Sequence, residues 1–498
     1  MPKKKRIFYS ALLLTGVNLL LRVVGTSFQV YISGRIGAAG VGLLQLTMSV
    51  GSLAMVAGMA GIRTATMYLT AEELGRGRKG NVTWVLSACF LYSILCSGTV
   101  AMGLYCFAPR IALQWIGNEE TLGAIRMYAA FLPVVCLSGV LTGYFTAENR
   151  IETLAAVEVA EQLTSMAVTM TALSLWAGED AGRACTSVVL GGGMGACLTM
   201  LCLAALRIRE PKYPSQRIYL GRRFSQTAVP LGLADVVKSG INTTENLMVP
   251  RRLALNLQVA QPLAAFGMVS GMVFPVMMFP ACILFGLAEL LIPELARCAA
   301  AGSRIRISYL VRRSLKTAMM YGIFFSGLMA LFSERLCLTL YENPEAGHYL
   351  KRYALLIPML YCDCITDAMT KGLGQQKACV RYNILTSAMD VAFLYILLPK
   401  YGMEGYFLSF LVTHLVNFLL SIRRLLKITG ERILFYQPVL AVSGGLLALW
   451  GAAHMEGMAA RAGAYCFLLG SLWCLLGVMG REDIRWLSGL IRREKASA

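Results

Sequence analysis

Charged side chains are scarce in this chain, and their scarcity excludes a water-soluble protein. Only 15% of the 498 residues are Asp, Glu, Lys or Arg, whereas 57% are hydrophobic and the mean hydropathy is +0.62. A soluble domain carries about 25% charged residues, because its surface must remain hydrated. The composition therefore indicates a polytopic membrane protein.

Acidic residues are scarcer than basic ones, with 27 Asp and Glu against 46 Lys and Arg and a net charge of +19. In a soluble protein this excess would suggest nucleic-acid binding. Here the basic residues flank long apolar segments, where they orient the chain and contact anionic lipid head groups. We expect membrane lipids as partners and no nucleic acid.

The motifs of common enzymes are also missing. The sequence has no GxxxxGK[ST] phosphate loop, and its three histidines, His348, His414 and His454, have no HExxH-type neighbours. The 15 cysteines lie almost entirely in apolar stretches and are typical of small buried hydrophobes. The glycine cluster 191–193 lies in the middle of an apolar segment, so we expect it to serve packing. We predict no catalytic residues and no metal site, which leaves transport.

Fourteen apolar segments are long enough to cross a membrane, which takes about 20 residues per helix. Of the 46 Lys and Arg residues, 32 fall in every second gap between segments, and the intervening gaps hold ten. Since basic residues stay on the cytoplasmic side, this alternation places both termini in the cytoplasm. The predicted spans are 8–34, 43–70, 81–108, 121–147, 154–176, 184–206, 224–248, 264–295, 310–333, 347–373, 380–399, 405–426, 434–453 and 462–480.

A weak internal repeat divides these segments into two groups of six. Three basic residues follow one another at similar intervals in the first and seventh segments: Arg6, Arg22 and Arg35, and Arg223, Lys238 and Arg251. Because each copy has an even number of helices, both copies enter the membrane in the same direction and enclose a central cleft. The predicted divisions are a bundle over 1–207, a linker over 208–223, a bundle over 224–427, two accessory helices over 428–480 and a cytoplasmic tail over 481–498.

Four basic residues lie inside the apolar segments, where each costs about 2.5–3.5 kcal/mol at a helix centre. We expect Arg22, Arg63 and Lys238 to form an anion site in the cleft, suited to a diphosphate that arginine binds bidentately. The alternative is that each cation reaches the interface or pairs with a carboxylate. Asp235 lies three residues before Lys238 and is such a partner. Arg126 lies near the outer end of its segment, so we expect its side chain to reach the membrane–water interface.

Acids inside the segments form the second set of candidates. It comprises Glu158, Glu161, Asp235, Glu245, Glu289, Asp363, Asp367 and Asp390. We assign Glu161 to the substrate site. A coupling cation, Na⁺ or H⁺, is assigned to Asp235, Asp363, Asp367, Asn383 and Asp390, because carboxylate and amide oxygens suit Na⁺ and carboxylates also carry protons. The alternative is that these acids pair with one another or with Lys238, or cap helix ends.

Several stretches resemble one branch of a known transporter superfamily. They are 21–25, 33–46, 60–65 continuing into 71–73, 249–253, 291–295 and 372–375. Together they are similar to the stage V sporulation protein B-like branch of the multidrug/oligosaccharidyl-lipid/polysaccharide flippase superfamily, whose members include the lipid II flippases. The chain departs from the family pattern at Ala39, where Glu is common, and at Arg63, where Pro is usual.

The resemblance implies two six-helix bundles, alternating access, and outward movement of a lipid-linked glycan across the bacterial plasma membrane. It also implies no enzymatic activity, no cofactor beyond a coupling Na⁺ or H⁺, a place in cell-wall or polysaccharide biosynthesis or in sporulation, and cell-wall synthesis enzymes as partners. In some relatives the last two helices line a groove for the lipid tail.

Three other functions remain open from the sequence. A multidrug exporter would use the acids to bind organic cations. A membrane-embedded glycosyltransferase would release polyprenyl diphosphate. A scaffold that recruits cell-wall enzymes would tolerate loss of the charges in the cleft.

Overall fold

The computed structural model describes residues 3–178, 180–210, 221–431 and 436–480, which contain helices and no strand. Short π-helical segments follow three of the helices, at 111–116, 173–177 and 268–273. The helices are α1 (Lys3–Met59), α2 (Ile62–Gly75), α3 (Asn81–Arg110), α4 (Leu122–Ala147), α5 (Ile151–Ala172), α6 (Ala181–Ile208), α7 (Gly221–Leu253), α8 (Pro262–Gly267), α9 (Phe274–Met278), α10 (Ala281–Ala300), α11 (Arg304–Tyr341), α12 (Pro344–Tyr353), α13 (Ile357–Gly372), α14 (Gln376–Thr429), α15 (Tyr436–Ala453) and α16 (Met458–Leu475).

The two longest helices each contain a kink at a glycine. Helix α1 has 57 residues and is non-helical at Gly37, with φ 67°, while α14 has 54 residues and is non-helical at Gly402, with φ 54°. A positive φ favours glycine, because a Cβ atom would clash with the backbone. Both kinks fall in predicted gaps between spans. Helix α14 contains two of the predicted segments, whereas α1 contains the first segment and most of the second, which continues into α2.

The prediction of an all-α, multi-pass membrane protein is confirmed. A helix occupies each of the fourteen predicted segments. In the described residues, seven helices are long and apolar enough to cross a membrane, or eight if the pair 262–278 and 281–300, bent by 64°, is one span. The number of fourteen spans therefore stays a prediction.

The chain forms two compact units. The first comprises Met1–Met272 with Ser387–Tyr406, and the second comprises Val273–Thr386 with Phe407–Ala498. Helix α7 lies in the first unit, although the internal repeat assigns it to the second bundle. The predicted bundle boundaries stay a prediction, and most of the predicted linker and the whole predicted tail lie outside the described residues.

A polar network joins the ends of α4 and α6 in the first unit. The Tyr144 hydroxyl lies 2.6 Å from a carboxylate oxygen of Glu148 and 2.5 Å from one of Glu210. Arg150 forms ion pairs with both acids at 2.9 and 2.8 Å, and Arg207 pairs with Glu210 at 3.0 Å. Two of these carboxylate oxygens, Glu148 Oε2 and Glu210 Oε1, contact Arg150 without hydrogen-bond alignment, so these contacts are charge pairs.

Helix α7 packs along the second half of α1. A Cβ atom at Gly232 would lie 2.5 Å from the Ala60 carbonyl carbon, so the two backbones touch there. Further along α7, the Thr243 hydroxyl donates to Ser49 O at 3.0 Å, and Asn246 Nδ2 donates to Ser49 Oγ at 2.9 Å. Residue numbers in the contacts increase along α7, from 232 to 246, while they decrease along α1, from 60 to 49. The two helices are therefore antiparallel.

The accessory helices α15 and α16 pack against α11 in the second unit. The Tyr465 hydroxyl donates to Ile323 O at 2.9 Å, and Trp473 Nε1 donates to Ala441 O at 3.1 Å. Tyr465 is fully buried, and a Cβ atom at Gly327 would overlap its ring at 2.2 Å. The predicted accessory pair is therefore a packed part of this unit.

The glycine cluster 191–193 on α6 serves packing. A Cβ atom at Gly191 would lie 2.5 Å from Ser165 O on α5, and one at Gly193 would lie 2.3 Å from the Phe131 ring on α4. Around Gly192 no atom lies within 4 Å of such a Cβ atom. The two outer glycines therefore set the distances from α6 to its neighbours.

Gly193→Ala should lower the free energy of unfolding by about 1–3 kcal/mol, because the added methyl overpacks the contact with Phe131. Gly192→Ala is the matched control and should be neutral or stabilising by up to about 1 kcal/mol, since alanine favours helix over glycine. Thermal unfolding of the purified variants in detergent compares the two. Equal stabilities would contradict the packing role of Gly193.

Candidate functional site

Arg63 and two acids of α5 form a charged cluster in the first unit. Arg63 lies in the first turn of α2, directly after the backbone break at Ala60 and Gly61, whose φ values are 39° and 74°. Its exposed guanidinium attracts the half-buried carboxylate of Glu158, which in turn repels Glu161. The cluster therefore brings one arginine close to two acids of α5.

Glu161 is held in place by α6. The buried hydroxyl of Thr199 donates to Glu161 Oε2 at 2.6 Å. The backbone of Glu161 also approaches Gly195 closely, with its carbonyl oxygen 3.0 Å from where a Cβ atom would lie. One carboxylate oxygen is thus oriented, and Oε1 is left to accept hydrogen bonds from a ligand.

Arg22 lies on α1 next to the same part of α5. A Cβ atom at Gly25 would lie 3.9 Å from Gln162 Nε2. Arg22 is one turn before Gly25, and Glu158 is one turn before Gln162. The predicted topology sends the first and fifth spans across the membrane in the same direction, and it would place Arg22 at the level of Glu158.

Lys238 and Asp235 lie elsewhere along α7. Both are exposed, and within the described residues no ion pair joins them. Gly232 of α7 contacts Ala60, and Lys238 lies six residues farther along α7, roughly 9 Å at 1.5 Å per residue. The role of Lys238 as a third ligand therefore stays a prediction.

Asp390 forms a buried acid pair with Glu245. Asp390, on α14, is 5% exposed and shares a side-chain hydrogen bond with Glu245 of α7. Tyr406 is also buried and lies close enough to interact with both charges. Two carboxylates this close repel each other when both are ionised, so a proton or a cation between them would stabilise the pair.

Glu245 completes this pair but is absent from the predicted coupling site. The sequence marks Glu245 only as an acid inside an apolar segment. It does not predict that Glu245 lies next to Asp390, which is far away in the chain. Asn383 lies two turns before Asp390 on α14 and is half-buried. Its assignment to the same cation stays a prediction.

The other two predicted coupling acids, Asp363 and Asp367, have different partners in the second unit. Asn417 Nδ2 donates to Asp363 Oδ2 at 3.0 Å, while Asp363 Oδ1 and Asn417 Oδ1 are buried without a hydrogen-bond partner among the described residues. Asp367 instead forms an ion pair with Lys371 at 2.6 Å. Asp363 thus has oxygens available for a proton or cation, whereas Asp367 is engaged by its own helix.

A cavity of about 870 Å³ lies in the first unit between α7, α14, α1 and the segment that follows α3. Its walls are mainly apolar, with Val237, Ile241 and Val391 among the lining side chains. Two arginines, Arg251 and Arg252, line it at the end of α7. No group of three His, Cys, Asp or Glu side chains in the described part of the chain is arranged to hold a metal ion.

Comparison with known sequences identifies relatives among bacterial sporulation proteins. Residues 15–177 match the MatE family. The chain is 20% identical to the stage V sporulation protein B of Bacillus subtilis (strain 168) over 414 residues, which cover 81% of this chain and 80% of that protein. It is 21% identical to sporulation protein YkvU of the same organism over 302 residues, covering 58% and 67%.

Solved transporter structures have the same fold. The lipid II flippase MurJ in an inward closed conformation matches with a TM-score of 0.73 and 14% identity, covering 95% of this chain and 99% of that one. An inward-facing multidrug resistance MATE family transporter of the MOP superfamily matches with a TM-score of 0.67 and 13% identity, covering 84% and 100%. The chain is thus a multi-pass membrane protein with a transporter fold, and its resemblance to the stage V sporulation protein B-like branch of the multidrug/oligosaccharidyl-lipid/polysaccharide flippase superfamily is confirmed.

Proposed function

We propose that this chain moves a polyprenyl-diphosphate-linked glycan from the inner to the outer leaflet of the bacterial plasma membrane by alternating access. The observation that carries the proposal is the cluster of Arg63, Glu158 and Glu161, with Arg22 one turn from the contact between α1 and α5, within a fold similar to that of a lipid II flippase. The sequence relationship to stage V sporulation protein B supports the same class of function.

The head group binds where cations and hydrogen-bond acceptors meet. Arg63 and Arg22 bind the diphosphate, since guanidinium groups pair bidentately with phosphate oxygens. Glu158 balances Arg63 before the substrate arrives, which lowers the cost of a cation inside the membrane. Glu161, held by Thr199, accepts hydrogen bonds from sugar hydroxyls.

The proposed movement is outward. We place both termini in the cytoplasm and the entry of the head group on the cytoplasmic side, while its prenyl tail remains in lipid between helices. Lys238 and Asp235 act as a third ligand and a charge switch along α7. Helices α15 and α16 flank the tail, and the enzymes that make or use the glycan in cell-wall synthesis are the expected protein partners.

Coupling uses the buried acids. The pair of Glu245 and Asp390 binds Na⁺ or a proton, and Asp363 with Asn417 provides a second such position in the other unit. Loading or unloading of these sites changes the charge buried beside α7 and α13. Such a change is large enough to bias a conformational equilibrium, because an uncompensated charge costs several kcal/mol in a low-dielectric interior.

Arg63→Ala and Arg22→Ala should each slow translocation of a fluorescent polyprenyl-diphosphate oligosaccharide in liposomes by about tenfold to a hundredfold, since a hydrogen bond to a charged group contributes about 1.5–3 kcal/mol. Arg126→Ala is the matched control. Arg126 lies over the Tyr105 ring, 5.4 Å from its centroid, on an exposed part of α4 and α3. Unchanged rates in both cleft variants would remove the head-group role.

A multidrug exporter is the second candidate, because MATE structures share the fold and Glu158 and Glu161 would suit an organic cation. Thermal unfolding separates the two functions. Stabilisation by prenyl diphosphate and none by organic cations supports the flippase. The reverse result supports drug export.

Asp390→Asn should abolish stabilisation of the purified protein by Na⁺. The amide N–H of asparagine can donate a hydrogen bond to Glu245 at any pH, because it does not titrate. The substitution therefore keeps a hydrogen-bonded pair but removes the negative charge that binds the cation. The wild-type protein should gain about 1.4 kcal/mol at a Na⁺ concentration tenfold above Kd. The measurement is the unfolding temperature as a function of Na⁺ at constant ionic strength.

Glu289→Gln is the control for Asp390→Asn, because Glu289 is an exposed acid on α10. It should leave the response to Na⁺ unchanged. A wild-type response in Asp390→Asn would place the cation elsewhere, with Asp363 as the next site to replace. A wild-type protein that responds to pH and not to Na⁺ would identify the proton as the coupling ion.

A further inference from the structure

The cavity at the end of α7, which we call the outer cavity, has an amphiphilic lining. Apolar side chains of α7 and α14, including Ile241, Leu247 and Val391, form most of its wall. Arg251 and Arg252, in the last turn of α7, also line it. No Asp or Glu is among the described residues that line the cavity, so its lining carries a net positive charge.

Arg252 is held in a fixed orientation. Its guanidinium lies 3.3 Å from the centroid of the Tyr395 ring on α14. Just beyond it, Asn256 Nδ2 donates to Pro399 O at 3.2 Å, which ties the end of α7 to the same helix. Stacking on the ring fixes the plane of the guanidinium, and its N–H groups can then donate two parallel hydrogen bonds to an anion. Arg251, the preceding residue, is exposed and adds the second charge.

The outer cavity borders the contact between α7 and α1. Thr243 lines it and also donates its hydroxyl to Ser49 O, so the cavity wall and this helix contact share a residue. If α7 separates from α1 during transport, the cavity widens at Thr243. A molecule that leaves the cleft on this side therefore passes beside the two arginines.

The outer cavity and the Arg63 cluster lie far apart along α7. Arg63 is three residues beyond the Ala60 contact with Gly232, and Arg251 is nineteen residues along α7 from Gly232. At 1.5 Å per residue these nineteen residues of α7 span roughly 28 Å, about the thickness of the hydrocarbon core. The two cationic positions are therefore suited to opposite leaflets.

We propose that the outer cavity is a second lipid site, which binds the diphosphate of a prenyl diphosphate lipid through Arg251 and Arg252 and the first part of its chain along the apolar wall. This inference rests on the proposed function, because it places the transported lipid after its head group has crossed. Two guanidinium groups match the multiple negative charges of a diphosphate better than the single phosphate of a common phospholipid. The volume is in the range of sites that enclose small ligands.

The test is photolabelling of the full-length protein in liposomes with a prenyl diphosphate that carries a diazirine on its hydrocarbon chain. Mass spectrometry should find the label in the cavity segments 237–248 of α7 and 388–395 of α14. The double variant Arg251→Ala, Arg252→Ala should reduce this labelling about tenfold or more. Arg461→Ala is the matched control, because it removes an exposed arginine whose guanidinium contacts only Met455 O among the described residues, at 2.8 Å.

Competition identifies what the outer cavity recognises. Excess unlabelled prenyl diphosphate should abolish labelling, whereas inorganic diphosphate and phosphatidylglycerol should reduce it less than twofold. Displacement by inorganic diphosphate as effective as that by the lipid would show an anion site without a chain site. Displacement by phosphatidylglycerol would show general contact with anionic lipid. Either result overturns the proposal, as does full labelling of the double variant.

Two further variants keep the result interpretable. Tyr395→Phe retains a ring under Arg252 and should label as the wild type does, while Tyr395→Leu removes the ring and should label several-fold less. Translocation is measured in the same liposomes. Normal translocation by the wild-type protein without cavity labelling rejects the outer site alone, whereas labelling of the cavity without translocation rejects the proposed function and leaves the site.

Discussion

The structure depends on how charge is stabilised inside a membrane. An isolated charge in hydrocarbon is costly, so each ionisable side chain in a span needs a partner or a ligand. Asp367 is neutralised by Lys371 on its own helix, whereas Glu245 and Asp390 share a hydrogen bond between two helices. The first arrangement is fixed by local sequence. The second changes its energy when a proton or a cation binds or leaves, and it is therefore suited to coupling.

Helix α7 connects the proposed sites. Its first half touches the chain at Ala60, in the break before Arg63, its middle carries Asp235 and Lys238, and its second half contacts α14 and the second half of α1. A change at Glu245 acts on the same helix that contacts Ser49 through Thr243 and carries Arg251 in its last turn. In the proposed mechanism, α7 is therefore the helix through which ion binding at Glu245 would affect the contact with α1 and the outer cavity.

The sequence predicts the helices well and their partners poorly. Apolar runs and basic gaps are local features, so the kinks at Gly37 and Gly402 fall where the sequence predicts gaps between spans. Contacts between distant spans are not local. Asp363 and Asp367 share one helical face and invite a common role, yet one of them meets Asn417 and the other meets Lys371. Only the three-dimensional arrangement shows that Asp363 has an amide partner on another helix, whereas Asp367 forms an ion pair within its own helix.

The central claim is that the chain transports a lipid-linked anion, and the most direct test is translocation by the purified wild-type protein. The measurement follows a fluorescent polyprenyl-diphosphate oligosaccharide in liposomes, with and without a Na⁺ gradient and a membrane potential. We predict movement of the lipid between leaflets that is faster with the protein than in protein-free liposomes and that responds to one of these gradients. Absence of both movement and binding of this lipid, together with binding of organic cations, would contradict the account and indicate drug export.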